Sequence, residues 1–474
     1  MRQAGVVSRN ARVTRFIHIA AAVLLSSCGG YGGGSSSMPP PTPTITLGVE
    51  PTTIVAGQSA TLTWSSTNAS SCTASGAWSG NEPTSGSMVV TPTTTGTNTY
   101  TLTCVDSNTG GYGGGGASSF MMSASLTVNP ATAFAAKNLV ADTANGSATV
   151  DTQLVNPWGI VFLPSAPVWV ANNHSETSTL YDGNGVPQPA GSALVVHLPA
   201  SSGGATFDPT GIVGNTTTDF VVSAAGKSGA ALFIFSGEGG MIAGWSKDVD
   251  VQNAIVMYTD AGGAVYKGLA IANNGSGNFL YATDFHNNKV DVFDAAFTRQ
   301  TPSATKFTFQ DPALPAGYAP FGIQALNTGA GGTVQIYVTY AKQQGPDNHD
   351  NANGAGLGIV DIYDANGKFV KTLVGTGGAL NAPWGIALAP SDFGTLSKAL
   401  LIGNFGDGKI NGYDPNSGSF LGTLQTADGA FAEPGLWGIA FGNDAHSQPH
   451  NTLFFAAGPN DEANGLYGRI DLPQ

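Results

Sequence analysis

The sequence predicts an all-β chain, with a six-bladed β-propeller in its larger C-terminal part and a separate β-sandwich before it. Three observations carry this reading. A short motif occurs six times, strand-like runs follow each copy, and the texture of the chain changes near residue 130.

The motif begins as Asn156-Pro-Trp-Gly-Ile-Val-Phe162. It returns as Asp208-Pro-Thr-Gly-Ile-Val213, Tyr266-Lys-Gly-Leu-Ala-Ile271, Ala319-Pro-Phe-Gly-Ile-Gln324, Ala382-Pro-Trp-Gly-Ile-Ala387 and Gly435-Leu-Trp-Gly-Ile-Ala440. Subtracting the positions of Gly159, Gly211, Gly268, Gly322, Gly385 and Gly438 gives spacings of 52, 57, 54, 63 and 53 residues. A period in this range marks a repeat architecture. After Ala382–Leu388 come Ala399–Gly403, Gly408–Tyr413 and Ser419–Leu424, short aliphatic or aromatic runs bounded by turn residues. Each repeat therefore reads as four strands. Asp182-Gly-Asn-Gly185 and Asp364-Ala-Asn-Gly367 lie between third and fourth runs, where Asn-Gly suits a tight hairpin, so the strands form an antiparallel meander. Four-stranded units at this period read as propeller blades.

The sixth repeat shows three runs after its marker, and Lys137-Asn-Leu-Val-Ala-Asp142 is an unassigned strand-like run ahead of the first. The expectation is that this run near 137–142 completes the last blade and closes the ring, removing an exposed edge. The marker glycines fit where innermost strands crowd the axis. Trp158, Phe321, Trp384 and Trp437 read as core residues packed between blades, the other reading being ligand stacking.

These repeats resemble NHL-type six-bladed propellers, with their Pro-x-Gly-Ile pattern. Lys137–Asp142 together with Leu154–Ile160 also resembles a family of exported bacterial propellers without an assigned activity, over residues 134–474. Thr210 and Lys267 depart from the pattern at its aromatic position.

Residues 1–28 read as a processed leader: Arg2, Arg9, Arg12 and Arg15 precede an apolar run from Phe16 to Leu25 too short to span a membrane. Leu25-Ser-Ser-Cys28 resembles the lipobox of bacterial lipoproteins, which makes Cys28 the lipid attachment site; the alternative is an incidental Cys in an ordinary leader. A lipid there anchors the chain to a membrane. By the same resemblance, Gly29 in place of Asp favours the outer membrane, so the expected location is the bacterial cell envelope. Residues 29–44 are a Gly, Ser and Pro linker.

From residue 45 to 129 Thr, Ser and Val alternate. Ser59-Ala-Thr-Leu-Thr-Trp64 and Thr99-Tyr-Thr-Leu-Thr-Cys104 have the polar–apolar period of half-buried sandwich strands. Cys72 and Cys104 are the cysteines left after Cys28, and in an exported chain they read as one disulfide worth roughly 3–4 kcal/mol. The stretch Gly57–Asn68 with Ser71–Ala74 and Tyr100–Cys104 resembles bacterial Ig-like domains. Its first Cys follows the Trp64 strand, so the standard inter-sheet bridge is not implied. Gly110–Gly116 reads as a hairpin excursion, since no helix follows to make a phosphate loop.

Seventeen basic against 30 acidic residues give a net charge of −13, with 10% of residues charged. This excludes nucleic acid as a partner, because phosphate binding needs clustered positive charge.

Function is expected on the polar loops that follow the second strand of each blade, which a meander places on one face. They are Asn172–Glu176, Ala225–Ser228, Asp284–Asn288, Lys342–Asn353, Asn404–Asp407 and Gly458–Glu462. Asn172, Glu176, Asp284, Lys342, Asp350, Asn404, Asp407 and Asp461 are the candidate ligand-face residues. His174, His286 and His349 recur at comparable places, and three imidazoles meeting at the axis would hold Zn²⁺ with an open position. The bland alternative is polar loop side chains satisfying turns, and a Ca²⁺ held by Asp, Asn and carbonyls is a third. His197, His446 and His450 read as surface residues. Lys227 and Lys342 would bind an anionic group or simply be solvated. No Gly-x-Ser-x-Gly elbow stands out. The expected role is a surface-anchored binding protein whose loop face recognises a glycan, a peptide or an envelope protein. The alternative is a metal-dependent lyase or lactonase-like hydrolase with its site at the axis.

Overall fold

Alternation and repeat spacing both dictate strands, and strands are what form. The computed structural model describes residues 44–56, 59–106, 119–129, 133–144, 149–201, 203–328 and 330–472. The leader with Cys28, the linker to residue 43 and the Gly-rich 110–116 stretch lie outside the described residues. Among the described residues, apart from three short 3₁₀ turns, all regular structure is β. No helix among the described residues is long and apolar enough to cross a membrane.

The N-terminal part is two sheets. Thr44–Glu50, Ala60–Thr67 and Ser85–Val90 form one; Thr53–Val55, Ser119–Asn129, Gly96–Asp106, Ala69–Gly76 and Gly80–Glu82 form the other, in that spatial order. Along Ala60–Thr67 every second residue turns inward, so Leu62 and Trp64 meet Tyr100, Leu102 and Leu126 of the other sheet in one apolar core. Trp64 packs edge-on to Trp78 with ring centroids 5.2 Å apart, and its Nε1 donates to the Pro83 carbonyl at 2.9 Å. Cys72 and Cys104 are bonded and stand directly opposite on neighbouring strands, so the disulfide staples one sheet and does not cross between the two.

The C-terminal part is propeller-like. Six antiparallel sheets follow in order, each beginning with a marker strand: Pro157–Val161, Pro209–Gly214, Tyr266–Asn273, Tyr318–Leu326, Pro383–Leu388 and Leu436–Phe441. The pairing register of each marker strand slips within the marker itself, so the motif is a bulge. A methyl group on each marker glycine would come within 3.0 Å of the next marker strand, from Gly159 against Thr210 round to Gly438 against Trp158. That crowding is why glycine recurs.

Neighbouring sheets share apolar layers. Trp169 and Leu180 of the first sheet meet Phe233 and Met241 of the second; Val168 and Tyr181 of the first also meet Phe454 and Tyr467 of the sixth. Lys137–Asp142 does add to the sixth sheet: Ala135–Ala141 pairs antiparallel with Leu466–Asp471.

Two expectations of the repeat count need correction. The third sheet has three strands, Tyr266–Asn273, Asn278–Asp284 and Lys289–Phe293; Phe293 is followed by a turn whose contact back to the strand is a single bridge to Arg299. In the second repeat the hairpin Val221–Ala224 with Lys227–Ala230 is an insertion. The turn at Ala225–Ser228 therefore belongs to that insertion, and the true second-to-third connection is the tight turn Glu238–Gly240 between Phe233–Gly237 and Met241–Trp245.

Candidate functional site at the loop face

The fold brings the inner ends of the marker strands together, and their central side chains decide what fills the middle. Trp158, Phe321, Trp384 and Trp437 do not separate into the layers between sheets. They converge in one cluster with Phe285 and Phe405. Trp158 stacks on Trp437 at 3.4 Å, Trp384 meets both edge-on at 5.9 and 5.8 Å, and Phe405 stacks on the far side of Trp437 at 4.2 Å. Beneath them a cavity of about 40 Å³ is lined by marker backbone such as Gly159, Gly211 and Gly438. That is room for only a few waters, so the centre is nearly filled.

The two markers without an aromatic complete the plug with polar groups. Thr210 donates to the Tyr266 carbonyl at 2.7 Å. Lys267, 3% exposed, extends its ammonium over the Trp158 ring, 5.4 Å from the centroid, and bonds the Glu238 carboxylate. Asp350 Oδ1 lies 3.7 Å from the same nitrogen. Burying a lone ammonium would be prohibitive, and these carboxylates make it tolerable. Burial alone would raise the Glu238 carboxyl, but Lys267, with His349 and Asn173, outweighs it and holds the group below its ordinary range.

From this pair a hydrogen-bonded chain crosses the face. Asn173 Nδ2 donates to Glu238 at 3.1 Å, and Asn156 Nδ2 donates to Asn173 at 3.3 Å and to Glu462 at 3.2 Å. Trp437 Nε1 donates to Asn156 Oδ1 at 3.3 Å, tying the polar layer to the aromatic one. Burial pushes the Glu462 carboxyl up, the charge of Glu238 adding to it against the Asn156 hydrogen bond. The network joins the first, second, third, fourth and sixth sheets. The fifth contributes Phe405 and Asp407 instead, and there the face opens. A depression of about 340 Å³ lies between the fifth and sixth sheets, walled by Asn353, Phe405, Asp407, Pro434, Asp461 and Glu462.

The three histidines are not assembled. His174 Nε2 is 3.4 Å from Asn156 Nδ2, His286 Nδ1 is 2.8 Å from the Asp347 carbonyl, and His349 Nδ1 is 2.9 Å from Asp350 Oδ1. That last contact is the main reason the imidazole is raised and the Asp350 carboxyl lowered. Among the described residues, the metal-capable set with ligand atoms within 4.8 Å of one another is Glu238, His349 and Asp350. Lys267 already supplies the positive charge between its carboxylates, so these residues do not fit Zn²⁺ or Ca²⁺ as they stand.

The other candidates divide. Asn172 is buried and satisfies Thr177 and Thr179. Glu176 accepts from the backbone of Phe207 and Asp208, joining two sheets; burial first, then Asp208, pushes it up to about 7. Asp284 is fully buried, holding Val265 N and Asn287. Lys342 lies over Tyr318 at 5.9 Å, and Lys227 is exposed on the inserted hairpin. Asn404 bonds Asp407 at 3.0 Å behind the depression, where Asp407 also pairs with Lys409. His450 sits between Asp444 and Asp392, and His446 meets the Ser165 carbonyl. Glu238 and Lys267 were missed as site residues, although Lys267 was visible as the charge in an aromatic position.

No family model matches the chain. The chain is similar to "Uncharacterized protein R648" of Acanthamoeba polyphaga mimivirus, 32% identical over 342 residues that cover 70% of this chain and 78% of that protein. It is also similar to "Uncharacterized protein L690" of the same virus, 30% identical over 330 residues, covering 68% and 82% respectively. These relatives are viral, where the sequence pattern pointed to bacterial proteins. Among solved structures, virginiamycin B lyase from Staphylococcus aureus is 14% identical, with 72% of this chain and 100% of that chain covered at a TM-score of 0.38. A protein of unknown function from Bacteroides thetaiotaomicron is 11% identical, with 92% and 100% covered at 0.43.

Proposed function

Since the chain belongs to the family of these two uncharacterised mimivirus proteins, we propose its role from its own geometry: a binding module that recognises a glycan in the loop-face depression. We read the six sheets as the blades of a six-bladed propeller, the N-terminal sandwich as an Ig-like spacer and Cys28 as a lipid anchor holding both at a membrane surface. The observation that carries the binding role is the contrast on one face: the centre is filled by aromatic rings and Lys267–Glu238, while the flank beside it is open. An aromatic wall with a few convergent polar groups is the usual anatomy of a small-ligand site, and the volume is at the low end of the roughly 300–1,000 Å³ such sites occupy.

The test is a screen of the purified chain against immobilised glycans and peptides, repeated with Phe405→Ala. Retention of a glycan, weakened about tenfold by the substitution, is expected, equivalent to about 1.4 kcal/mol. Glycan binding that ignores Phe405 would sink the assignment of the site. The competing metal-dependent lyase or lactonase reading would need Lys267 to leave Glu238 and Asp350, so that these two and His349 could take a metal in its place. Stoichiometric zinc in the purified chain, lost in His349→Ala, would replace binding with that reading.

A further inference from the structure

The walls of the depression say more about what enters it. Phe405 is held rigid by its stack on Trp437, with a ring interplanar angle of 27°, and its remaining surface lines the opening. A ring fixed in this way offers a flat apolar platform at little entropic cost. The polar part of the wall is one-sided. Asp407, Asp461 and Glu462 line it, and no Lys, Arg or His does. Asp407 has Lys409 as a partner at 3.2 Å, but among the described residues neither Asp461 nor Glu462 makes an ion pair. Asn353 supplies an amide on the same wall.

Resting on the glycan-binding reading above, we infer that the depression takes a sugar carrying a free ammonium group, a deacetylated amino sugar. The platform accepts the C–H face of a pyranose, the amide and Asp407 pair with hydroxyls, and the ammonium lies between Asp461 and Glu462. A neutral sugar would leave those two carboxylates uncompensated, and an anionic one would be repelled. Glu433, beside Pro434 in the chain, is pushed up to about 7 by burial alone, so the ground next to the wall is poorly solvated.

The probes are β-1,4-linked glucosamine tetramer, its fully N-acetylated counterpart and the equivalent glucose tetramer, each titrated into the full chain. Tryptophan emission reports binding through Trp437, and calorimetry gives affinity. The glucosamine tetramer is expected to bind at least about tenfold more tightly than the other two. Added salt should erode that preference. Asp461→Asn, at an exposed loop position, should lower affinity for glucosamine and narrow its preference over the glucose tetramer. Equal affinity for all three tetramers, or preference for the acetylated one, overturns the ammonium inference while the glycan reading stands. Binding of none of them, by a chain that still retains another glycan through Phe405, also overturns it. Retention of peptides alone in the earlier screen removes both.

Discussion

The inner ring of this protein is built in two ways on one repeated backbone. In the first, fourth, fifth and sixth sheets the marker places an aromatic ring at the centre; in the second and third it places Thr210 and Lys267. The aromatic half is held by many weak contacts, each replaceable by the next. The ionic half is held by a few strong ones that depend on every partner being present. A repeat can thus keep its geometry while changing the physics of one position, and the change is where the loop face acquires its polar network.

The aromatic half should lose heavily on a single cut. Trp437, 2% exposed, touches Trp158, Trp384, Phe321 and Phe405. Trp437→Ala should cost about 3–5 kcal/mol in urea unfolding of the C-terminal part. A loss below 1 kcal/mol would mean the rings do not hold the centre.

The ionic half should respond differently to one cut and to two. Lys267→Ala strands Glu238 and should cost about 3–5 kcal/mol, whereas Lys267→Met with Glu238→Leu should lie near the parent or above it. Equal losses in the single and double variants would erase the distinction between the halves.

The smallest effect, and the one that sharpens the comparison most, is in pH. Glu238 has a folded-state carboxyl held below its ordinary value, so its contribution is present above the unfolded value of 4.5 and is lost as pH falls through the depressed one. The melting temperature should drop on acidification in the parent and in Trp437→Ala alike. In the Lys267→Met/Glu238→Leu variant this part of the acid loss should vanish.

How much of this was legible depends on what each signal reports. The markers were readable because steric crowding admits only glycine at Gly159 and its five equivalents, and crowding repeats with the backbone. The strand near 137–142 was readable because an unassigned apolar run needs a partner. The third sheet's missing fourth strand was not, since Arg299 and its neighbours carry turn residues that fit either outcome. Glu238 was hidden by the inserted hairpin, whose turn at Lys227 occupies the place in sequence where the loop was expected. The histidines failed because equal sequence position does not fix direction: His286 turns to the Asp347 carbonyl and His349 to Asp350. The depression was half visible. Asp407 and Asp461 were candidate residues; Phe405 and Glu462 lie on the same expected loops but acquire meaning only when the fifth and sixth sheets stand side by side.

The pairing of Ala135–Ala141 with Leu466–Asp471 has a consequence in time. Ala135 and its partner Asp471 are separated by 471 − 135 = 336 residues, so bringing them together costs about 5 kcal/mol of loop-closure entropy by logarithmic scaling if nothing between them has folded. Folding the intervening sheets first shortens the effective loop and removes most of that cost. During synthesis, Leu139 and Val140 can meet Val168 and Tyr181 of the first sheet early, but they wait for Phe454 and Tyr467 to complete their layer. Until then the last sheet keeps an unpaired strand edge, the kind of transient surface that favours aggregation, and the interval lasts almost as long as translation of the sheets themselves.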